Sequence, residues 1–136
     1  HSLLQNTALR ARMVEGSTAP VVIGADGHRF LIAEQLREAG IAESTLLLEP
    51  EGRDTAPAAA VAAHYVAAEI DPRAIVFLMA ADHVIADLPA FVEAAQALGR
   101  LVCDLLAAGE SLADNSFKPI AYLVCAIPLC VCFFNA

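Results

Sequence analysis

Residues Thr45–Asp87 read TLLLEPEGRDTAPAAAVAAHYVAAEIDPRAIVFLMAADHVIAD, and this stretch decides the fold. A short apolar run is followed by a polar loop, an alanine-rich segment and a second apolar run that closes on an acidic residue. Short apolar runs bounded by turn residues are typical of buried strands. The stretch therefore predicts a strand–helix–strand crossover, which places its two strands parallel in one sheet.

The preceding residues repeat this alternation of helix and strand. Helices are predicted at 2–14 and 28–39 with a buried strand at 20–24, and further along the chain a helix at 56–70, a strand at 74–79 and a helix at 87–106. Ser2 and Gln5 have the spacing of a capping box, and Gly16 and Gly40 are helix-ending residues. Arg10 and Arg12 are expected to face water. The helical periodicity predicts these core-facing positions: Leu3, Leu4, Ala8, Leu9, Phe30, Ala33, Leu36, Phe91, Ala94, Ala95 and Leu98.

Strands that alternate with helices of this length indicate an α/β fold, with a mostly parallel sheet covered by helices on both faces. We expect residues 1–108 to form one such domain. The chain begins at His1, without an initiator methionine or a signal-peptide pattern, and enters a helix at once. We therefore expect its natural N-terminus to lie upstream and the sheet to be incomplete.

Residues 109–136 depart from the pattern. Residues 120–134 form an apolar run that contains Pro128 and three cysteines, and the run is shorter than the roughly 20 residues of a membrane-spanning helix. A membrane anchor, a buried strand or a hairpin are alternatives for it. We favour a divergent apolar tail outside the fold, such as read-through in the wrong frame.

Composition excludes some classes of partner. The formal net charge of −8 argues against a nucleic-acid surface, although a small phosphate ligand needs only local N–H groups and one or two cations. The four cysteines form no Cys-x-x-Cys pair, which favours a reducing, cytoplasmic setting. Cys103 lies in a predicted helix and is interpreted as a packing residue.

The loop at residues 49–55 is the first candidate site. Ligands of open α/β sheets bind beyond the carboxyl ends of the strands, where this loop lies. Gly52 permits close approach of a ligand to the backbone, and Arg53 is the cation of the loop. The first amides of the next helix, those of Thr55, Ala56 and Ala58, add an anion-binding site. A helix cap made by Asp54 or Thr55 is the alternative, and the residues alone favour it.

Asp82 is the second candidate. It directly follows the apolar run at 74–81, and a carboxylate in that position can hold a divalent ion against a phosphate. Magnesium suits it better than zinc, because no second His or Cys stands at ligand spacing beside His83. The alternative is an ordinary acid that caps the next turn. His28 and His64 are interpreted as surface or packing residues.

Several short motifs occur together in one order. They are SLLQ from Ser2, HRF from His28, AEQLR from Ala33, LEP from Leu48, GRDTAPA from Gly52 and ADHVI from Ala81. In order and spacing this set resembles the bacterial mannose-1-phosphate guanylyltransferases, over about residues 2–99.

The resemblance implies a Rossmann-like, GT-A-type three-layer sandwich and an enzyme that joins GTP and mannose 1-phosphate into GDP-mannose and pyrophosphate, with Mg²⁺. It implies that Asp82 holds the metal and that Arg53 meets the phosphates. The nucleotide pocket would be lined by Glu49, Pro50, Gly52, Arg53, Asp54, Thr55 and Ala56. The full-length parent of such a chain would also be a candidate for a homo-oligomer.

The chain also departs from the family's pattern. The glycine-rich opening loop and the Thr-Gly-Tyr-Gly-Tyr-type sugar-binding segment are not found in the sequence, and Asp54 stands where the family leads us to expect asparagine. We therefore expect the isolated chain to be inactive as a transferase. A non-catalytic nucleotide-binding or interaction module is the alternative function.

Overall fold

The computed structural model describes residues 1–51, 55–110, 120–125 and 132–134. Most elements begin and end within three residues of their predicted bounds, and a 3₁₀ turn at Asp26–His28 leads into the second helix. In chain order the elements are α1 (Leu3–Ala11), β1 (Val21–Ala25), α2 (Arg29–Glu38), β2 (Thr45–Glu49), α3 (Thr55–Glu69), β3 (Ile75–Ala80), α4 (Leu88–Glu110), β4 (Ile120–Cys125) and β5 (Cys132–Phe134).

The strands form one mostly parallel sheet in the order β2-β1-β4-β3-β5. β1 and β2 are parallel, with Val21 opposite Thr45 and Ala25 opposite Glu49, so both strands end at the same edge. β4 is parallel to β1 and β3, while the short β5 is antiparallel to β3. The predicted Rossmann-like α/β fold with a mostly parallel sheet is confirmed.

β4 occupies the centre of the sheet, which differs from the expectation that residues 109–136 lie outside the fold. Leu123 is in register with Val21 of β1 on one side and with Leu78 of β3 on the other. β1 and β3 do not pair with each other, and buried backbone N–H and C=O groups need partners. A segment that contains Ile, Tyr and Val has the strand preference to supply them.

The core lies on both faces of β1. Val22 and Ile23, which point to opposite faces, are each fully buried. α2 contacts β1 and β2, while α3 contacts β1. The buried face of α3 consists of Ala58, Ala62 and Val66, at helical spacing. Small side chains at the first two of these positions let the helix axis approach the sheet closely.

The predicted capping box at the start of α1 is confirmed, and it also joins α1 to α2. The Gln5 amide N–H donates to Ser2 Oγ at 3.2 Å, and the Ser2 N–H donates to Gln5 Oε1 at 2.8 Å. The Ser2 hydroxyl donates to Gln35 Oε1 at 2.6 Å, and Gln5 Nε2 donates to the Gln35 carbonyl at 3.0 Å. Ser2 and Gln5, which cap α1, therefore also hydrogen-bond to Gln35 in the last turn of α2.

Arg10 does not face water as predicted, because it is only 4% exposed. Its NH2 group donates to Thr7 Oγ1 at 2.9 Å, and its guanidinium lies 5.3 Å from the centre of the Phe91 ring. Both sides of α1 are thus covered, by α2 and by the start of α4. A periodicity argument assumes one buried face and therefore assigns Arg10 wrongly.

Five positions predicted to face the core are exposed instead. On α2 the buried residues are Ile32 and Leu36, which turns the Phe30 side chain into solvent at 75% exposure. The physical reason is that tertiary packing selects a narrower stripe of each helix than the apolar pattern suggests. The exposed positions are Leu3, Phe30, Ala33, Ala94 and Leu98.

Gly40 directly follows the end of α2, as predicted, whereas α1 already ends at Ala11 and Gly16 lies in the turns beyond it. Gly16 and Gly40 adopt φ values of 80° and 71°, the left-handed region in which an L side chain is strained.

Within the described ranges, no helix is both long enough and apolar enough to cross a membrane.

Replacing Leu123 by proline tests the central place of β4. The substitution removes a backbone N–H from a strand that is paired on both sides, so we expect the free energy of unfolding to fall by about 3 kcal/mol or more. Urea denaturation followed by circular dichroism measures the change. Leu123→Val, which keeps the N–H, is the matched control, and equal stability of the proline and valine variants would contradict the central position.

Candidate functional site

The candidate site begins where β2 ends. Glu49 closes β2 in register with Ala25 of β1, and the chain then turns through Pro50 and Glu51 towards α3. In open α/β sheets the carboxyl edge of the strands is the edge that binds ligands, because the loops there diverge and leave a crevice. The predicted location of the first candidate site, at the end of β2, is therefore at the ligand-binding edge of the observed sheet.

The position of α3 brings its N-terminus to this edge. The Tyr65 hydroxyl lies 3.3 Å from Thr45 Oγ1, which places the C-terminal half of the helix beside the first residue of β2. α3 begins at Thr55, and Pro57 lies in its first turn, where a missing N–H breaks no helical hydrogen bond. The positive end of the helix dipole is therefore close to the carboxyl end of β2.

A cavity of about 500 Å³ lies between β2 and the start of α3. Apolar side chains form most of its wall, and two carboxylates stand at the end of β2 and just beyond it. The lining residues are Ile23, Leu47, Leu48, Glu49, Pro50, Glu51, Pro57 and Val61. Its size and apolar lining are typical of a small-molecule site.

The predicted nucleotide-pocket residues divide into three groups. Glu49 and Pro50 line the cavity. Thr55 and Ala56 begin α3 beside it. The remaining three, Gly52, Arg53 and Asp54, lie outside the described residues.

Sequence reasoning missed the apolar walls of the cavity. Ile23 and Leu47 are register partners on neighbouring strands, so they point to the same side of the sheet. Pro57 and Val61 are one helical turn apart on α3 and lie opposite them in the cavity. Val61 is 51% exposed in the structure, and the alanine-rich sequence of α3 carries no signal that sets it apart as part of a cavity wall.

Asp82 lies at the same edge of the sheet but on a different strand. It follows β3 and the buried Ala81, and its side chain is 56% exposed. His83 Nε2 is 3.9 Å from Asp82 Oδ1. The strand order puts three strand spacings, about 14 Å, between the ends of β2 and β3. Asp82 and the cavity can therefore contact different parts of one extended ligand.

The residues around Asp82 suit a magnesium ion that phosphates and water help to hold. They do not suit a closed metal site in which side chains supply all the ligands. In the part of the chain that the structure describes, no group of three or more His, Cys, Asp or Glu residues could hold a metal ion. Magnesium is commonly held by one or two carboxylates while phosphates and water supply the other ligands. An exposed single carboxylate at the ligand-binding edge meets that requirement.

The other titratable residues considered from the sequence lie apart from this site. His28 and His64 are exposed. Of the two interpretations given for them, surface residue and packing residue, the first is therefore confirmed. Cys103 packs against the core, and its partial burial together with the nearby Asp104 raises the pKa of its thiol. A raised pKa leaves less of the reactive thiolate, which agrees with a packing role.

A second cavity of about 490 Å³ opens at the opposite edge of the sheet. It lies where β1 and β2 begin, and its wall includes Arg12, Pro20, Gly40 and Glu43. Arg12 is exposed and donates from NH1 to the Gly40 carbonyl at 3.3 Å. Despite its similar size, this cavity lies at the amino ends of the strands, away from the ligand-binding edge and from the start of α3.

The sheet, the cavity at its carboxyl edge and the adjoining helix N-terminus define an open α/β domain of the Rossmann-like class. Comparison with known families makes the assignment specific. Residues 1–112 match the nucleotidyl transferase family, and the chain belongs to that family.

Named relatives narrow the comparison. The chain is 48% identical over 96 residues to mannose-1-phosphate guanylyltransferase RfbM of Salmonella typhimurium, a match that covers 68% of this chain and 19% of the relative. It is 47% identical over 93 residues to the mannose-1-phosphate guanylyltransferase of Escherichia coli K12, a match that covers 66% of this chain and 19% of that relative. It is also 46% identical over 91 residues to the xanthan biosynthesis protein XanB of Xanthomonas campestris, a match that covers 67% of this chain and 19% of that relative.

The chain thus spans about a fifth of the length of the relatives it matches. No solved structure matches it.

A double-mutant cycle tests whether Tyr65 fixes α3 against β2. We expect Tyr65→Phe and Thr45→Val each to lower the free energy of unfolding by about 0.5–1.5 kcal/mol, because each removes one side of a half-buried hydrogen bond. Urea denaturation of both single variants and of the double variant gives the coupling energy. Strictly additive losses would show that the two hydroxyls do not interact.

Proposed function

We propose that this chain forms the nucleotide-binding part of a mannose-1-phosphate guanylyltransferase. The observation that carries the proposal is the cavity at the carboxyl end of β2, which is apolar on its walls and lies beside the N-terminus of α3. The names of the similar proteins support it, since RfbM and the Escherichia coli relative are both mannose-1-phosphate guanylyltransferases.

In the proposed reaction, a phosphate oxygen of mannose 1-phosphate attacks the α-phosphorus of GTP. A new P–O bond forms, the bond from the α-phosphorus to the bridging oxygen of the β-phosphate breaks, and pyrophosphate leaves with that electron pair. GDP-mannose is the other product. The reaction needs positioning and neutralisation of negative charge rather than a covalent intermediate on the protein.

Each part of the site has a role in this proposal. The cavity walls, including Leu47, Pro57 and Val61, hold the base and exclude water from it. The first amides of α3 and the guanidinium of Arg53 bind phosphate oxygens, since a helix N-terminus and an arginine both favour anions. Asp82, at the same edge, would hold Mg²⁺, which when bound neutralises charge on the phosphates.

The setting we propose is the cytoplasm. The cysteine usage of the chain, which has no Cys-x-x-Cys pair, supports a reducing compartment. The proposed substrates, GTP and mannose 1-phosphate, are charged molecules that do not cross membranes unaided.

Calorimetric titration of the 136-residue chain with GTP tests the proposal. We expect Arg53→Ala to weaken binding by about tenfold or more, because a charge-assisted hydrogen bond to phosphate is lost. Arg37→Ala is the matched control, since Arg37 lies on α2 and pairs with Glu34. Asp82→Asn should abolish the gain in affinity that MgCl₂ gives.

Equal affinities of the parent and Arg53→Ala would remove Arg53 from the site. Absence of GTP binding by the parent chain would contradict the proposed function itself.

A further inference from the structure

Arg10 places a guanidinium inside the protein, between α1 and the start of α4. The residue is 4% exposed, and its NH2 group donates at 2.9 Å to Oγ1 of Thr7, which is itself fully buried. The guanidinium lies 5.3 Å from the centre of the Phe91 ring. Taking a charged group out of water costs free energy, which an apolar side chain in the same position would avoid. Filling space alone would therefore not require an arginine here.

The Phe91 ring connects Arg10 to the first turn of α4. The ring also packs against Phe77 of β3, with 6.3 Å between the ring centres. The Phe91 N–H donates to the Asp87 carbonyl at 3.1 Å, and Asp87 Oδ1 accepts from the Ala90 N–H at 3.0 Å, which caps the helix. A side chain that holds Phe91 therefore also holds Asp87, the residue at which the chain enters α4.

Asp82 lies in the connection between β3 and α4 that Asp87 closes. This connection leaves the sheet at the buried Ala81, and the next three side chains, those of Asp82, His83 and Val84, are exposed. Exposed side chains give a loop little packing of its own. The position of Asp82 therefore depends on the two ends of the connection, which are the sheet at Ala81 and the start of α4 at Asp87.

We propose that Arg10 is a positioning residue for Asp82. Its guanidinium, oriented by Thr7, attracts the face of the Phe91 ring and fixes the start of α4, and this sets where the Asp82 carboxylate lies at the edge of the sheet. The inference rests on the proposed function, because that function gives Asp82 the role of holding Mg²⁺. The charge and the planar shape of the guanidinium, rather than its volume, carry the effect.

A positioning role and a general structural role predict different results. Among the described residues, the wall of the cavity between β2 and α3 includes neither Arg10 nor Phe91, so loss of their contact should leave metal-free binding of GTP unchanged. A carboxylate that holds an ion must be placed accurately, so the metal-dependent part of the affinity should fall. The ratio of the GTP affinities with and without MgCl₂ therefore reports the position of Asp82.

Calorimetric titration of the 136-residue chain with GTP, with and without MgCl₂, measures this ratio. Arg10→Met keeps a long unbranched side chain but removes the charge and the hydrogen bond to Thr7. We expect it to lose most of the gain in affinity that MgCl₂ gives to the parent, and to keep the metal-free affinity within about twofold. Arg37→Met is the matched control, because Arg37 is exposed on α2 and pairs with Glu34, so this variant should keep both affinities.

Phe91→Leu removes the other partner of the contact and gives an independent test. Leucine keeps apolar packing against Phe77 but presents no ring face to the guanidinium. We expect the same loss of the MgCl₂ gain, whereas Phe91→Tyr, which keeps the ring, should retain the gain. Far-ultraviolet circular dichroism establishes that each variant is folded.

Methyl NMR spectra of the ligand-free chain test the positioning without any metal or nucleotide. Ile85 lies in the connection between Asp82 and α4 and is half-buried. Arg10→Met should shift its methyl signals and leave those of Leu47 and Val61, which line the cavity, unchanged. Unchanged Ile85 signals would contradict a displacement of the connection.

The outcomes separate this inference from the proposed function. A folded Arg10→Met or Phe91→Leu that keeps the full MgCl₂ gain overturns the role of Arg10 and leaves the nucleotide site intact. Equal losses of affinity with and without MgCl₂ also overturn it, because they indicate a general structural role. A parent chain that binds GTP without responding to MgCl₂ overturns the inference together with the metal role of Asp82, and a parent that does not bind GTP overturns the proposed function itself.

Discussion

The parallel register of β1 and β2 is the constraint on which the candidate site depends. With Ala25 opposite Glu49, both strands end at one edge, and everything that follows them in the chain must start from that edge. A shift by one residue would turn Glu49 to the other face and remove it from the cavity. The position of the carboxylate is therefore set by backbone hydrogen bonds rather than by the side chains around it.

The close approach of α3 to the sheet completes the site. Ala58 and Ala62 are buried with almost no side chain to separate helix from strand, and Val66 continues the same buried face. The Tyr65–Thr45 contact then orients the helix along β2. Because the C-terminal half of the helix is held beside the start of β2, its first turn lies beside the end of β2 and presents N–H groups there. One arrangement thus supplies both the apolar wall of the cavity and the helix end that we propose binds phosphate.

Much of the fold could be predicted from the sequence, because strand and helix patterns alternate clearly along the first 110 residues. The capping box at Ser2 and the left-handed glycines were predictable for the same reason, since they depend on local geometry. The burial of Arg10 was not, because it requires α1 to be covered on two sides. The central position of β4 was not predictable either, since periodicity does not reveal which edges of β1 and β3 remain open.

The candidate site was predictable to a similar extent. Glu49 and Pro50 follow from the rule that ligands bind beyond strand ends, together with the ordered motifs. The walls at Ile23, Leu47 and Val61 depend on register and on the packing of α3, which only the three-dimensional structure gives. The metal role of Asp82 remains a proposal that rests on its position at the edge and on the chemistry of a lone carboxylate.

The central claim is that the cavity between β2 and α3 is the nucleotide site of this domain. Methyl NMR spectra of the chain during titration with GTP test it most directly. The account predicts shifts of the methyl signals of Leu47, Leu48 and Val61, with no shift for Ile41, which lines the cavity at the opposite edge. Shifts at Ile41 with unchanged signals from the other three residues would contradict it.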